Sequence, residues 1–180
     1  MNLKNKTLLT ESFPKLYSAI SQEKEKYSKG EPFHPIAFGF DCGDGWFPLL
    51  YKLSIQLENY ISSLPEDAQS IVYAVQVKEK FGTLRFYMSS YSEEMDAYIV
   101  AAEKESSKTC EVCGNPGITL GESWLSTLCL SCYVNGSHTL RNVNSQSTQD
   151  YFDYWFSVKR EIDQNREEKE KLKSKKIDEI

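Results

Sequence analysis

Four of the five cysteines fall in two close pairs, Cys110-Glu-Val-Cys113 and Cys129-Leu-Ser-Cys132. Thiolates three positions apart can converge on one ion, and Gly114 leaves room for a tight backbone turn beneath the sulfurs. Fifteen residues separate Cys113 from Cys129, a spacing known for zinc ribbons and treble clefs. The expectation is one Zn2+ ion held by Cys110, Cys113, Cys129 and Cys132. Four thiolates complete a tetrahedron and leave no position for water, so the expected site is structural rather than catalytic. Two disulfides or four unrelated buried thiols are the alternatives, and the paired spacing suits them less. His138 is a spare ligand by type, read here as a surface histidine.

A second group is Asp41-Cys42-Gly43-Asp44-Gly45-Trp46, where two carboxylates and a thiol stand beside a tryptophan. A phosphoester hydrolase using Asp41 and Asp44 is one reading. Against it, Gly-Asp-Gly turns are common structural devices, only His34 is near in sequence, and neither phosphate-loop nor nucleophile-elbow spacing is present. The expectation is therefore a non-enzyme with no catalytic residue assigned, and Cys42 is read as a small buried apolar residue.

The third group lies on a hairpin. With a turn at Phe81-Gly82, Lys80 faces Thr83, Lys78 faces Arg85 and Gln76 faces Tyr87, while Val77 pairs with Phe86 on an apolar face. Gln76, Lys78, Arg85 and Tyr87, with Asp41, Asp44 and Trp46 from the glycine turn, form the candidate binding face. Two facing cations repel, so a carboxylate of Asp41 or Asp44 is expected between them, in preference to an external anion.

Around these groups the chain alternates helical and strand-like stretches. Leu8 to Ile20 carries apolar residues at helical spacing, with Thr10 or Ser12 as N-cap and Pro14 in a first turn. Gly30, Pro32 and Pro35 mark a loop leading to an extended segment at Ile36 to Phe40. Trp46 to Ile61 has the clearest apolar stripe, through Leu49, Leu50, Leu53, Leu57, Tyr60 and Ile61. Ile71 to Val77 and Thr83 to Met88 read as the hairpin strands, and Glu93 to Lys104 as a helix. Cys129 to Val134 reads as a strand end or short helix stopped by Asn135-Gly136. Arg141 to Gln149 reads as a loop. Ser147 and Asp150 then resemble a capping box for a last helix with Tyr151, Trp155, Val158 and Ile162 on one stripe, running into alternating Glu and Lys beyond Asn165. The predicted fold class is α+β: a small antiparallel sheet with packed helices and a zinc-knuckle module of treble-clef or ribbon type. The expected division is an α+β core over 1–105, a zinc module over 106–140, and a loop, helix and charged tail over 141–180.

The 180 residues, 20.7 kDa, suffice for one medium domain or a domain with a small metal module. No segment reaches the ~18 apolar residues of a membrane span and the first residues lack an apolar signal core, so a cytoplasmic protein is expected. A net charge of −5 and a pI near 5.2 argue against general attraction to phosphate backbones. A zinc-containing nucleic-acid-binding regulator is thus an alternative to a protein-binding role, which needs no basic patch and suits an acidic chain rich in aromatics.

Three strings together resemble a group of small uncharacterised bacteriophage and prophage proteins: Phe38-Gly39-Phe40-Asp41-Cys42-Gly43-Asp44-Gly45-Trp46, Val75 to Tyr87, and Cys110-Glu-Val-Cys113-Gly114. The likeness covers roughly residues 11 to 135. It implies a phage or mobile-element setting and supplies no catalytic residues. The expected function is an accessory protein that binds a host or defence-system protein in the bacterial cytoplasm.

Overall fold

A computed structural model describes residues 1–20, 39–121 and 124–136, together with Gln22, Lys26, Lys29, Asp153 and Ser157. The predicted loop before Ile36, the loop after Arg141, the last helix and tail as continuous elements, and both histidines lie outside the described residues. The chain divides into two units, Met1–Cys132 and Tyr133–Ile180. The first unit holds the helices and strands from Leu3 to Leu128 and the start of the helix Leu130–Asn135.

The first helix, α1 (Leu3–Ser12), begins and ends earlier than expected. Asn2 caps it by accepting from Asn5 N, and Phe13 and Pro14 close it where the sequence suggested a start. Proline disfavours helical backbone in the residue before it, so Pro14 acts as a terminator. The freed amides of Lys15 and Leu16 donate to the Glu58 carboxylate at 3.2 and 2.8 Å. Residues 18–20 are helical again.

A single 3-10 turn, Asp44–Trp46, leads into α2 (Phe47–Ser63). Pro48 is pre-organised for a first turn, and Leu49, Leu50, Leu53, Leu57 and Ile61 are buried along one stripe. Ser54 is buried on the same stripe; its Oγ donates to Leu50 O and lies 2.6 Å from Tyr17 Oη. Pro65 ends α2 by holding Leu64 extended, before the short α3 (Glu66–Gln69).

The sheet has strand order β1-β2-β3, with β1 (Phe40–Asp41), β2 (Ala74–Lys80) and β3 (Thr83–Met88). The hairpin register is the predicted one: Lys80 opposite Thr83, Lys78 opposite Arg85, Val77 opposite Phe86 and Gln76 opposite Tyr87. Phe81 and Gly82 both have positive φ, at 55° and 76°, as a type I′ turn requires. The sheet is mixed rather than wholly antiparallel, because β1 runs parallel to β2 with Phe40 beside Val77 and Asp41 beside Lys78.

Helix α4 (Glu93–Ser106) is capped by Ser92, whose Oγ accepts from Met95 N, and carries Glu93, Glu94 and Asp96 in its first turn, the favourable end for negative charge. It also covers the outer edge of β3. Leu84 N donates to Ser106 Oγ at 2.8 Å and Phe86 N to Glu103 Oε1 at 3.3 Å, while Met88 N donates to Tyr91 Oη at 3.0 Å. An edge whose amides already have acceptors cannot template a further strand. Ser106→Ala would leave the Leu84 amide without this acceptor, in a buried place. It should cost about 1–3 kcal/mol, read as a lower urea midpoint at unchanged slope; a loss within about 0.3 kcal/mol would show the edge needs no such cap.

The core joins Leu9, Phe13, Leu16, Tyr17 and Ile20 to Phe40, Trp46, the α2 stripe, Val77, Leu84, Phe86, Met88, Met95 and Ile99. Beyond α4 come β4 (Ile118–Leu120), β5 (Ser126–Leu128) and α5 (Leu130–Asn135). Among the described residues no helix is long and apolar enough to cross a membrane.

Candidate metal centre

The four paired cysteines converge. The sulfurs of Cys110, Cys113, Cys129 and Cys132 all lie within 4.8 Å of one another, and Cys113 Sγ is 3.5 Å from Cys129 Sγ. Two backbone devices create this. Gly114, at φ 79°, reverses the chain under the first pair while its amide donates to Cys110 O and Cys110 N donates to Asn115 O. The second pair sits at the start of α5, where Cys132 N donates to Cys129 Sγ at 3.4 Å. Knuckle, β4–β5 hairpin and short helix follow in that order, with Cys129 just before the helix and Cys132 within it. Burial and then the neighbouring thiols push the Cys132 thiol well above its usual range.

The cluster can hold a metal ion. Cys110 and Cys129 are buried and Cys113 is exposed.

The glycine turn seats this knuckle. Glu111, between the first two cysteines, makes three bonds at once: Gly45 N donates to its carbonyl at 2.7 Å, Gly43 N donates to its Oε1 at 2.8 Å, and its own amide donates to Thr127 O on β5 at 2.9 Å. A Cβ on Gly45 would stand 2.2 Å from Cys110 O and 2.4 Å from Gly114 N; one on Gly43 would stand 2.2 Å from Glu111 O. Only glycine permits backbone to approach backbone this closely. Trp46 Nε1 donates to Thr109 O at 2.8 Å. Burial raises the Glu111 carboxyl above the ordinary carboxylate range.

These contacts decide what the turn's reactive groups do. The Asp44 Oδ1 accepts from Asn2 N at 2.8 Å and Asn5 Nδ2 at 3.0 Å, tying the turn to the start of α1. The Asn2 amide is the main reason its carboxyl is held below the usual range. Cys42 is buried, and burial pushes its thiol up to about 12. It therefore stays protonated and matches the expected small apolar residue. Trp46, grouped by sequence with the hairpin face, is 0% exposed and belongs to the core.

The hairpin face carries Gln76, Lys78, Arg85 and Tyr87 as expected, with Asp41 beside Lys78 on the neighbouring strand. The expected neutralisation is corrected. Among the described residues no ion pair joins Asp41 or Asp44 to Lys78 or Arg85; Arg85 instead lies 3.7 Å from Glu103 of α4 and donates to Thr83 Oγ1 and Leu84 O. Lys78 Nζ sits 5.6 Å from the centre of the Tyr87 ring. Asp44 is committed to α1, and α4 packs on β3, so the nearer carboxylate comes from a helix that periodicity alone does not place there.

The roles of Glu111 and Thr127 escape a reading of the sequence: Glu111 is a non-ligand position inside the first cysteine pair, Thr127 belongs to no motif, and the contacts of both are with residues distant in sequence. Exposed aromatic side chains mark two loop tips: Phe81 at 64% exposure and Trp124 at 74%. No family model, curated protein or solved structure matches the chain.

Proposed function

We propose that the chain is a non-enzymatic protein-binding factor whose Cys110, Cys113, Cys129 and Cys132 hold one structural Zn2+, and that it serves a phage or prophage by engaging a host or defence-system protein in the bacterial cytoplasm. The observation that carries the metal assignment is the mutual approach of four sulfurs within 4.8 Å. A tetrahedron with zinc–sulfur bonds of about 2.3 Å has sulfurs about 3.8 Å apart, within that limit. All four positions are then protein thiolates, so the ion stabilises the module and offers no site to a substrate water.

The non-enzymatic reading is supported by the engagement of Asp44 with Asn2 and Asn5 and by the burial of Cys42. Binding through exposed aromatic tips suits an acidic protein better than contact with phosphate backbones. The phage setting rests on the resemblance of the three strings.

Metal analysis of protein purified without chelator should find about one zinc per chain. Two disulfides and substoichiometric metal would overturn the assignment. For the partner, affinity purification from infected cells should be followed by binding measurements with the purified candidate. Phe81→Ala or Trp124→Ala should weaken that binding at least about tenfold, the loss expected of an aromatic anchor. Tight DNA or RNA binding that survives physiological salt would favour the regulator instead.

A further inference from the structure

The hairpin tip, whose two-residue turn imposes a costly shape, packs against the cysteine module. Phe81 adopts φ 55°, a left-handed conformation that costs a non-glycine residue about 1–2 kcal/mol, yet its ring is largely exposed and does not contribute to the core. Beyond the turn itself, a second restraint comes through its neighbour. Gly82 is buried; its amide donates to Glu79 Oε1 and its carbonyl accepts from Thr127 Oγ1. Thr127 is 0% exposed, its hydroxyl 2.7 Å from Thr119 Oγ1. A Cβ on Gly82 would stand 2.5 Å from Thr119 Cγ2, so β4 and β5 press directly on the turn. Thr127 in turn lies two residues before Cys129, and its carbonyl accepts from Glu111 N, between Cys110 and Cys113. A continuous series of bonds therefore runs from both cysteine pairs to the tip, and a parallel one from Glu111 to Gly43 and Gly45.

We propose that metal occupancy of the four-cysteine cluster acts as a latch on the Phe81–Gly82 tip, so that Phe81 is displayed to a partner in the metal-loaded chain and the tip relaxes when the metal is withdrawn. This rests on the proposed metal site and adds a regulation to it. Without the ion the two cysteine pairs are no longer pinned together, the Thr127–Gly82 bond loses its rigid support, and the left-handed Phe81 is free to release its strain.

The test is site-resolved amide exchange of the full chain, zinc-loaded and after EDTA, with metal content measured alongside. Removing zinc should speed exchange of the Gly82 and Gly45 amides and the Trp46 indole N–H at least about tenfold more than it speeds exchange of Leu57 in the middle of α2. In the zinc-loaded protein Thr127→Val should speed Gly82 but not Gly45. Phe81→Gly, which removes the strain at an exposed position, should make Gly82 exchange nearly independent of zinc. Loss of zinc with Gly82 unchanged, or Leu57 accelerating as much as Gly82, overturns the latch and leaves the metal assignment standing. A chain that takes up no metal overturns both.

Discussion

Cys110→Ser should abolish metal retention and lower the thermal midpoint by at least about 10 °C. Structural zinc in small modules contributes on the order of 10–16 kcal/mol of apparent binding free energy, and a site reduced to three thiolates forfeits much of it. Cys110 is also completely buried, so the serine hydroxyl adds a desolvation cost of about 1–3 kcal/mol if unpartnered. About 4 kcal/mol, a modest share of these sums, corresponds to roughly 10–15 °C for a unit of this size. The effect should spread beyond the module, because the knuckle holds Gly43, Gly45 and Trp46 by hydrogen bonds. Val112→Ala is the control: Val112 lies in the same knuckle but is 58% exposed, and such surface changes usually stay within about 0.5 kcal/mol. Circular-dichroism melts with parallel metal analysis measure both. A Cys110→Ser midpoint within about 2 °C of the parent would mean the cluster does not stabilise the fold.

Trp46→Ala is expected to be of similar severity for a different reason. Its ring is fully buried among core residues that include Tyr17, Phe40 and the α2 stripe, and truncating such a side chain costs about 3–5 kcal/mol through lost burial and the cavity left behind. The substitution also removes the donor to Thr109 O, one residue before Cys110. Trp46→Phe separates the two contributions, since it keeps most of the apolar volume and loses the hydrogen bond, at about 1–2 kcal/mol. Denaturant unfolding should therefore rank Trp46→Ala well below Trp46→Phe, with metal content reduced in the first and near one per chain in the second. Equal losses for the two would place the whole contribution of Trp46 in its hydrogen bond. Trp124→Ala, at an exposed loop tip, should leave stability unchanged.

The covered edge of β3 and the seating of the knuckle share one principle. In both, a backbone group that the sheet or turn leaves without a partner is satisfied by a residue distant in sequence: Ser106 and Glu103 for β3, Glu111 for the glycine turn. Unpaired amides in such places would each cost about 1–3 kcal/mol, so these residues matter to the fold although none lies in the hydrophobic core cluster.

The amino-acid sequence by itself determined the four-cysteine cluster, the register of the hairpin and the course of α2, because each is encoded within a few positions. Paired cysteines converge at a spacing of three, Gly82 between two strand-like stretches marks a two-residue turn, and a stripe repeating every three or four residues specifies a helix face. The start of α1 is harder to place, because its cap, Asn2, and its stop, Pro14, compete with an apolar pattern that continues to Ile20. Only the tertiary structure decided the rest. That β1 runs parallel to β2, that Arg85 turns to Glu103, and that the glycine turn is a seat for the knuckle all depend on contacts between distant residues. Gly43 and Glu111 are 68 positions apart, and Trp46 and Thr109 are 63. Local periodicity carries no record of such approaches. The glycines at 43 and 45 announced a turn, but the reason for them, a second backbone less than a side chain's width away, exists only once the chain has folded.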